Sequence, residues 1–232
     1  MPETQRQITK KYWDLYWAIK GCYPEYFKKK MPINIGFMSP TTLDGSRSKL
    51  KQVIGDSQSV LDIGSGDNFV QRAMRSAGHK GVYHTLDLDA RFPHEYHDLS
   101  EVNQSYDVIV MFNLIAHMPL DDFYAHLAFC ESHLNPGGTI AISTPNANHV
   151  NCVWKGDMTH IHPLPPQDLY CLFRVLGYDV AMYRTHIVEE HFGILRWIRR
   201  GLACLIAWIL YADAAEDILL FATRPPRAPD KR

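Results

Sequence analysis

Apolar positions recur at helical spacing from Ile8 to Ile19 (Ile8, Tyr12, Leu15, Tyr16, Ile19). Gly21 and Pro24 close that stretch, which predicts a leading helix outside any sheet. Residues Met31 to Gly55 give mixed signals, with room for a helix over Thr42–Val53. Beyond them, short apolar runs alternate with amphipathic segments of helix length. Ser59–Ile63, Gly81–Leu88, Tyr106–Phe112, Thr139–Ser143, Tyr178–Arg184 and Asp217–Ala222 read as strands, and Glu95–Asp98 as a short one. Phe69–Ala77, Leu120–Leu134 and Gln167–Leu176 read as helices. Strands separated by helices predict the α/β class, with a parallel sheet and right-handed crossovers.

One segment departs from this alternation. Between the last two strands, Ile194 to Tyr211 is strongly apolar, with Arg196, Arg199 and Arg200 near its start and Trp197 and Trp208 along it. Its uncharged stretch runs only from Gly201 to Ala212, short of the roughly 20 residues that a membrane span needs. Two readings stay open: an interfacial helix on an anionic membrane, or a helix that covers the sheet or a second protomer.

The length of 232 residues suits one α/β domain with modest additions. The expected division is an N-terminal helical cap and lead-in over 1–58, a ligand-binding domain over 59–223 with the apolar insertion at about 191–215, and a disordered tail over 224–232. A formal net charge of −1 gives no global field towards nucleic acid. Five cysteines without CxxC spacing point to a reducing, cytoplasmic compartment, not to a disulfide framework or zinc site. The polar start Met1-Pro2-Glu3-Thr4-Gln5 reads as no secretory leader.

The chemistry concentrates in Val60-Leu61-Asp62-Ile63-Gly64-Ser65-Gly66-Asp67-Asn68. An apolar strand ends in an acid, two glycines follow, and a helical pattern begins at once. Glycine is needed where a ligand approaches the backbone or φ is positive, and open α/β sheets bind ligands at the carboxyl ends of their strands. Further along stand Thr85-Leu86-Asp87-Leu88-Asp89, Tyr106-Asp107-Val108-Ile109-Val110 with Asn113, and Leu134-Asn135-Pro136-Gly137-Gly138-Thr139. In this order, over about Val60 to Thr223, the motifs resemble those of the class I S-adenosylmethionine-dependent methyltransferases.

That resemblance implies a Rossmann-like doubly wound sheet of about seven strands, mostly parallel with the last antiparallel. It implies S-adenosyl-L-methionine as cofactor. Gly64 and Gly66 would let the backbone approach its methionine part, with Asp62 orienting the loop or the amino group. Asp87 would bind the ribose, Asp98 and Leu99 the adenine, with Asn113 near the sulfonium, and Ser65, Asn68 and Leu88 complete the cofactor-binding set. One carboxylate can accept both ribose hydroxyls, and charge-assisted hydrogen bonds are the stronger ones. Two departures stand out: Asn68 replaces the frequent third glycine, and the interval from Asp87 to Asp98 is too short for a crossover helix. Asp98 can equally be an ordinary helix cap.

The acceptor side is less marked. His149, His160 and His162 crowd the segment after the fifth strand, and His117 follows the fourth. His117 and His160 are the candidate general bases, since histidine titrates near neutral pH; an alternative is that loop histidines only bond the backbone. One alternative is that Asp157, His160 and His162 ligate a divalent metal that clamps paired hydroxyls, but their spacing is irregular and no metal site is expected. The acceptor is read as a small or lipid-linked molecule, methylated on oxygen or nitrogen in a pocket between 144–163 and the leading helix near Tyr12 and Tyr16. The alternatives are an NAD(P)-binding oxidoreductase or epimerase, against which Phe69 stands where its fingerprint needs glycine, and a non-catalytic S-adenosylmethionine-binding module.

Overall fold

Among the described residues, seven strands form one sheet: β1 (Ile33–Met38), β2 (Ser59–Ile63), β3 (Val82–Leu86), β4 (Tyr106–Phe112), β5 (Leu134–Pro145), β6 (Asp179–Glu189) and β7 (Asp217–Thr223). The α-helices described are α1 (Glu3–Lys28), α2 (Ser48–Gly55), α3 (Phe69–Ser76), α4 (Leu120–His133), α5 (Pro166–Val175) and α6 (Ile194–Ile209). This computed structural model describes residues 3–29, 33–38, 48–55, 57–150, 153–189, 194–210 and 212–226. The spatial order is β1-β6-β7-β5-β4-β2-β3. All pairings are parallel except those of β7, which runs antiparallel to β5 and β6.

Alternation along β4 explains the layering. Ile109 and Met111 join one core cluster, Val108 and Val110 the other, because successive side chains of a strand face opposite sides; Tyr106 joins the first cluster across the register shift that precedes Val108. The first cluster is closed by Leu15 and Ile19 of α1, Phe123 and Leu127 of α4, and Leu169 and Phe173 of α5. The second is closed by Leu50 and Ile54 of α2 and by Val70, Ala73 and Met74 of α3. The sheet is therefore covered on both faces, and its parallel strands read as near-continuous apolar runs.

The count of seven is reached by a different route from the expected one. The short strand foreseen at Glu95–Asp98 is a single bridge, Leu86 to Tyr96. Its place in the count is taken by β1, which pairs with β6 along its whole length. The region before residue 59 thus contributes a sheet strand as well as helices. The same pairing extends β6 to Glu189, beyond the foreseen Arg184. β5 starts early at Leu134, with a register shift between Tyr106 and Val108 that accommodates the Asn-Pro-Gly-Gly turn. The tail expected from 224 is described only as far as Pro226, and Arg224 is anchored there, its guanidinium donating to the Leu134 carbonyl at 2.8 Å.

α6 carries the apolar insertion. Trp208, Ile209 and Leu210 are 76%, 58% and 62% exposed, and Ile198, Leu202, Leu205 and Ile206 are exposed as well; Ala207 is buried. Among the described residues no helix is long and apolar enough to cross a membrane. The segment after α6 is tied to the loop after β5: the Val150 amide donates to the Asp213 carbonyl at 2.8 Å, and Asn146 Nδ2 to the Ala215 carbonyl at 2.8 Å. α6 therefore hangs from the edge of the sheet where β5 and β6 end.

Candidate active site

β2, β3, β4 and β5 deliver their carboxyl ends to one edge. After β2 the chain turns through Gly64 and Gly66, both at positive φ (71° and 53°). A Cβ on Gly64 would stand 2.7 Å from Leu114 Cδ1, whereas one on Gly66 would meet open space. Asn68, in the position of the third glycine, takes φ 61° and caps α3 in the left-handed region, a conformation Asn tolerates better than most residues. Its Nδ2 donates to the Pro93 carbonyl at 2.9 Å, and its Oδ1 accepts from the Ser65 hydroxyl at 2.9 Å.

Asp87, one residue past β3, binds this turn directly. Its Oδ2 accepts the Gly66 amide hydrogen at 2.7 Å and its Oδ1 that of Asp89 at 2.8 Å. Leu88 beside it is 82% exposed. The shortened connection then folds back instead of crossing over. Glu95 accepts from the Thr85 amide and hydroxyl at 2.7 and 2.9 Å, and His97 Nδ1 approaches the Asp87 carbonyl at 3.0 Å. Asp98 accepts from the Ser100 amide and hydroxyl, capping the 3-10 turn Leu99–Glu101. The capping role left open in the sequence is thus the one its Oδ1 performs.

Asp62 lies beneath the glycine turn with no exposure. Its Oδ2 accepts the Tyr83 hydroxyl at 3.0 Å, while its Oδ1 is buried with no partner. Burial pushes its carboxyl up to about 7, the Asp87 charge adds to this, and the Tyr83 bond opposes it. A buried carboxylate oxygen left unpaired is costly, so a cationic ligand group at this point would be strongly favoured.

Sequence reasoning missed two groups. Tyr83, the second residue of β3, orients Asp62, and nothing in its sequence setting marks it. His94 bonds Ser65 Oγ at 3.2 Å and Thr85 Oγ1 at 3.2 Å through Nδ1, and its Nε2 is buried without a partner. Only the shortness of the loop that carries His94 hints at it.

On the other flank of β4, Asn113 has φ 52°, and its Oδ1 accepts the Ser143 hydroxyl at 2.8 Å. His117 ends the 3-10 turn Ile115–His117. The segment 157–162 docks onto that turn, with the Ile161 and His162 amides donating to the Ala116 carbonyl at 2.8 and 3.3 Å. His117 and His160, far apart in sequence, come together with ring centroids 4.6 Å apart. His149 is buried away from them, in the bridge to Asp213.

His162, two residues after His160, is in the wall of a cavity of about 330 Å³. Its walls are Leu15, Tyr16 and Ile19 of α1, Leu120 and Tyr124 of α4, and His162 with the prolines after it. α1 is held in place by Lys20–Asp168 (3.2 Å) and by Glu25, which accepts from Tyr170 at 2.7 Å and from Arg174 at 3.1 Å. Of the residues expected around the acceptor, Tyr16, His162 and Pro163 line this cavity, and the side chain of Tyr12 lies outside those described.

A doubly wound sheet with a glycine turn after β2 and an acid after β3 defines a nucleoside-binding α/β protein. The sequence profile of the methyltransferase domain family matches residues 36–182, and the chain belongs to that family. It is an S-adenosylmethionine-dependent methyltransferase, an enzyme with S-adenosyl-L-methionine as cofactor. The fold is similar to the crystal structure of an S-adenosylmethionine-dependent methyltransferase from Archaeoglobus fulgidus, with TM-score 0.60 and 18% identity over 76% of this chain and 90% of that one. A plantazolicin methyltransferase in complex with SAH gives 0.51 at 13% identity, over 75% and 80%. An O-methyltransferase family protein from Burkholderia thailandensis gives 0.50 at 13%, over 78% and 57%. No curated protein matches the chain in sequence.

Proposed function

We propose that this enzyme methylates an oxygen or nitrogen atom of a small, largely apolar acceptor held in the cavity between α1, α4 and the His162 loop. The observation that carries this reading is the position of that cavity. His162, two residues after His160, and Leu120, three residues after His117, both line it, and its size falls within the usual range for ligand pockets. The likeness to a plantazolicin methyltransferase and an O-methyltransferase family protein supports it.

In this reading Asp62 Oδ1 faces the cofactor's ammonium group. Gly64, Ser65, Gly66 and Asn68 shape the turn around the methionine part. Asp87 takes the ribose hydroxyls while keeping the Gly66 amide, since each carboxylate oxygen has two lone pairs. Leu88, Asp98 and Leu99 border the adenine, and Asn113 lies near the sulfur. When bound, the cofactor supplies a methyl group on positively charged sulfur. The protein then has to align the acceptor and manage its proton, and His117 and His160 are the groups assigned to that task.

Calorimetric titration with S-adenosylhomocysteine and with NAD, followed by a metabolite screen for methyl acceptance, tests the proposal. Tight binding of the first alone and turnover of a soluble small molecule support it. Cofactor binding without any turnover would leave a binding module instead.

The exposed face of α6 favours a second element of this reading. Ile198, Leu202, Leu205, Ile206 and Ile209 are exposed at helical spacing, with Trp208 beside them and three arginines earlier in the helix, which suits an interfacial helix. A lipid-linked acceptor would then reach the cavity from a membrane surface.

A further inference from the structure

We propose that His117, Asp157 and His160 form a divalent-cation site that holds an acceptor with two neighbouring oxygen donors, such as a catechol, a vicinal diol or an α-hydroxy carboxylate. This deepens the methyltransferase reading and rests on it for the acceptor's location. One ligating atom from each of the three residues lies within 4.8 Å of the other two. Around a single ion with bonds of about 2.1 Å, ligand atoms stand at most about 4.2 Å apart. The three side chains therefore close on a cation by small rotations, which their partly exposed positions allow.

Thr159 prepares two of the ligands. Its hydroxyl donates to Asp157 Oδ1 at 2.6 Å and lies 3.0 Å from His117 Nδ1. An ionised carboxylate only accepts, so the single hydroxyl hydrogen goes to Asp157. His117 Nδ1 must then be the donor towards Thr159, and His117 Nε2 is left with its lone pair. That is the usual outer-shell device, in which a partner on one imidazole nitrogen fixes the other for metal. The Thr159 amide also donates to Asp157 Oδ1, at 2.8 Å, and the two bonds hold this carboxyl below its ordinary range.

Two imidazoles and a carboxylate suit Mn²⁺, Fe²⁺, Co²⁺ or Zn²⁺, and three protein ligands leave positions open for the acceptor. His162, two residues on, lines the acceptor cavity. A hydroxyl coordinated there loses its proton to water more readily, its O–H electron pair remaining on the oxygen. The histidine pair would then act through the cation instead of taking the proton directly.

The test uses the full chain, stripped with chelator and titrated with Co²⁺, followed by visible absorption, and with Mn²⁺, followed by paramagnetic resonance. One ion per chain is expected, with binding weakened tenfold or more in Asp157→Asn and His160→Gln and also in Thr159→Val, which leaves all three ligands in place. S-adenosylhomocysteine affinity, measured on the same samples, stays unchanged. 4-Nitrocatechol added to the Co²⁺-loaded protein should shift the visible spectrum, and Asp157→Asn should abolish the shift. Absent stoichiometric metal, or metal binding indifferent to all three substitutions, overturns the site; loss of S-adenosylhomocysteine binding in the wild type overturns the methyltransferase reading itself. Metal binding without a catechol shift overturns the acceptor class.

Discussion

The Asp87 carboxylate accepts the Gly66 amide hydrogen at 2.7 Å, so the end of β3 and the turn after β2 form one hydrogen-bonded unit. Asp87→Ala should cost both this tie and the ribose contacts. Each charge-assisted hydrogen bond is worth about 1.5–3 kcal/mol, so S-adenosylhomocysteine affinity should fall about tenfold or more by calorimetry, with the circular dichroism spectrum retained. An unchanged affinity in the folded variant would remove Asp87 from the cofactor site.

Asp62 makes the ligand-free protein sensitive to pH. Its folded pKa of about 7 lies above the unfolded value of about 3.9. Between these values the folded state keeps a proton that the unfolded chain has released, so this contribution is complete below about pH 4 and is lost as pH rises through about 7. Melting temperature should therefore decline across that window, and Asp62→Asn should flatten the decline. Cofactor affinity should move the opposite way, tightening as the carboxyl ionises through pH 7. A wild-type melting profile that matches that of Asp62→Asn would refute the assignment.

The two glycines of the turn should respond differently to alanine. Both lie at positive φ, which costs an L-residue roughly 1–2 kcal/mol. Gly64→Ala adds a clash with Leu114, whereas Gly66→Ala adds none. Gly64→Ala should lower the melting temperature more, and Gly66→Ala should act chiefly on ligand binding. Thermal unfolding with and without S-adenosylhomocysteine separates the two.

Filling the cavity should affect the acceptor alone. Ile19→Trp in its wall should raise the acceptor KM several-fold and leave cofactor affinity intact. His117→Ala and His160→Ala should each lower turnover about 10²-fold. Full turnover in both histidine variants would place acceptor activation elsewhere.

Vesicle co-sedimentation tests α6. The wild type should pellet with anionic but not neutral vesicles, and Arg196, Arg199 and Arg200 changed together to Ala should release it. At about 1 kcal/mol for each basic residue near the surface, partitioning should shift by roughly two orders of magnitude. A wild type that stays in the supernatant would leave α6 as a protein contact.

Most of the sheet was legible because its strands are local apolar runs ending in recognisable turns. β1 was not, since Ile33–Met38 is interrupted by Gly36 and pairs with β6, a partner distant in sequence. The foreseen strand at 95–98 failed for the opposite reason: its residues suited an extended chain, but the short connection left space for one bridge only. Within the site, Asp87 was marked by the family resemblance, whereas the glycine turn followed from its spacing. The meeting of His117 with His160 did not, because it depends on how the 157–162 segment docks against Ala116.

The truncated connection after β3 also bears on how the protein stays dispersed. β3 ends the sheet, and a terminal strand with free amides invites pairing with a neighbouring chain. Here Glu95 covers the Thr85 amide with a side-chain oxygen, and the Tyr96 amide donates to the Thr85 carbonyl at 3.1 Å. Two residues thus take the place of a whole strand as a guard against edge-to-edge aggregation. Selection at Glu95 would then act on solubility, although the residue sits in the loop that follows Asp87.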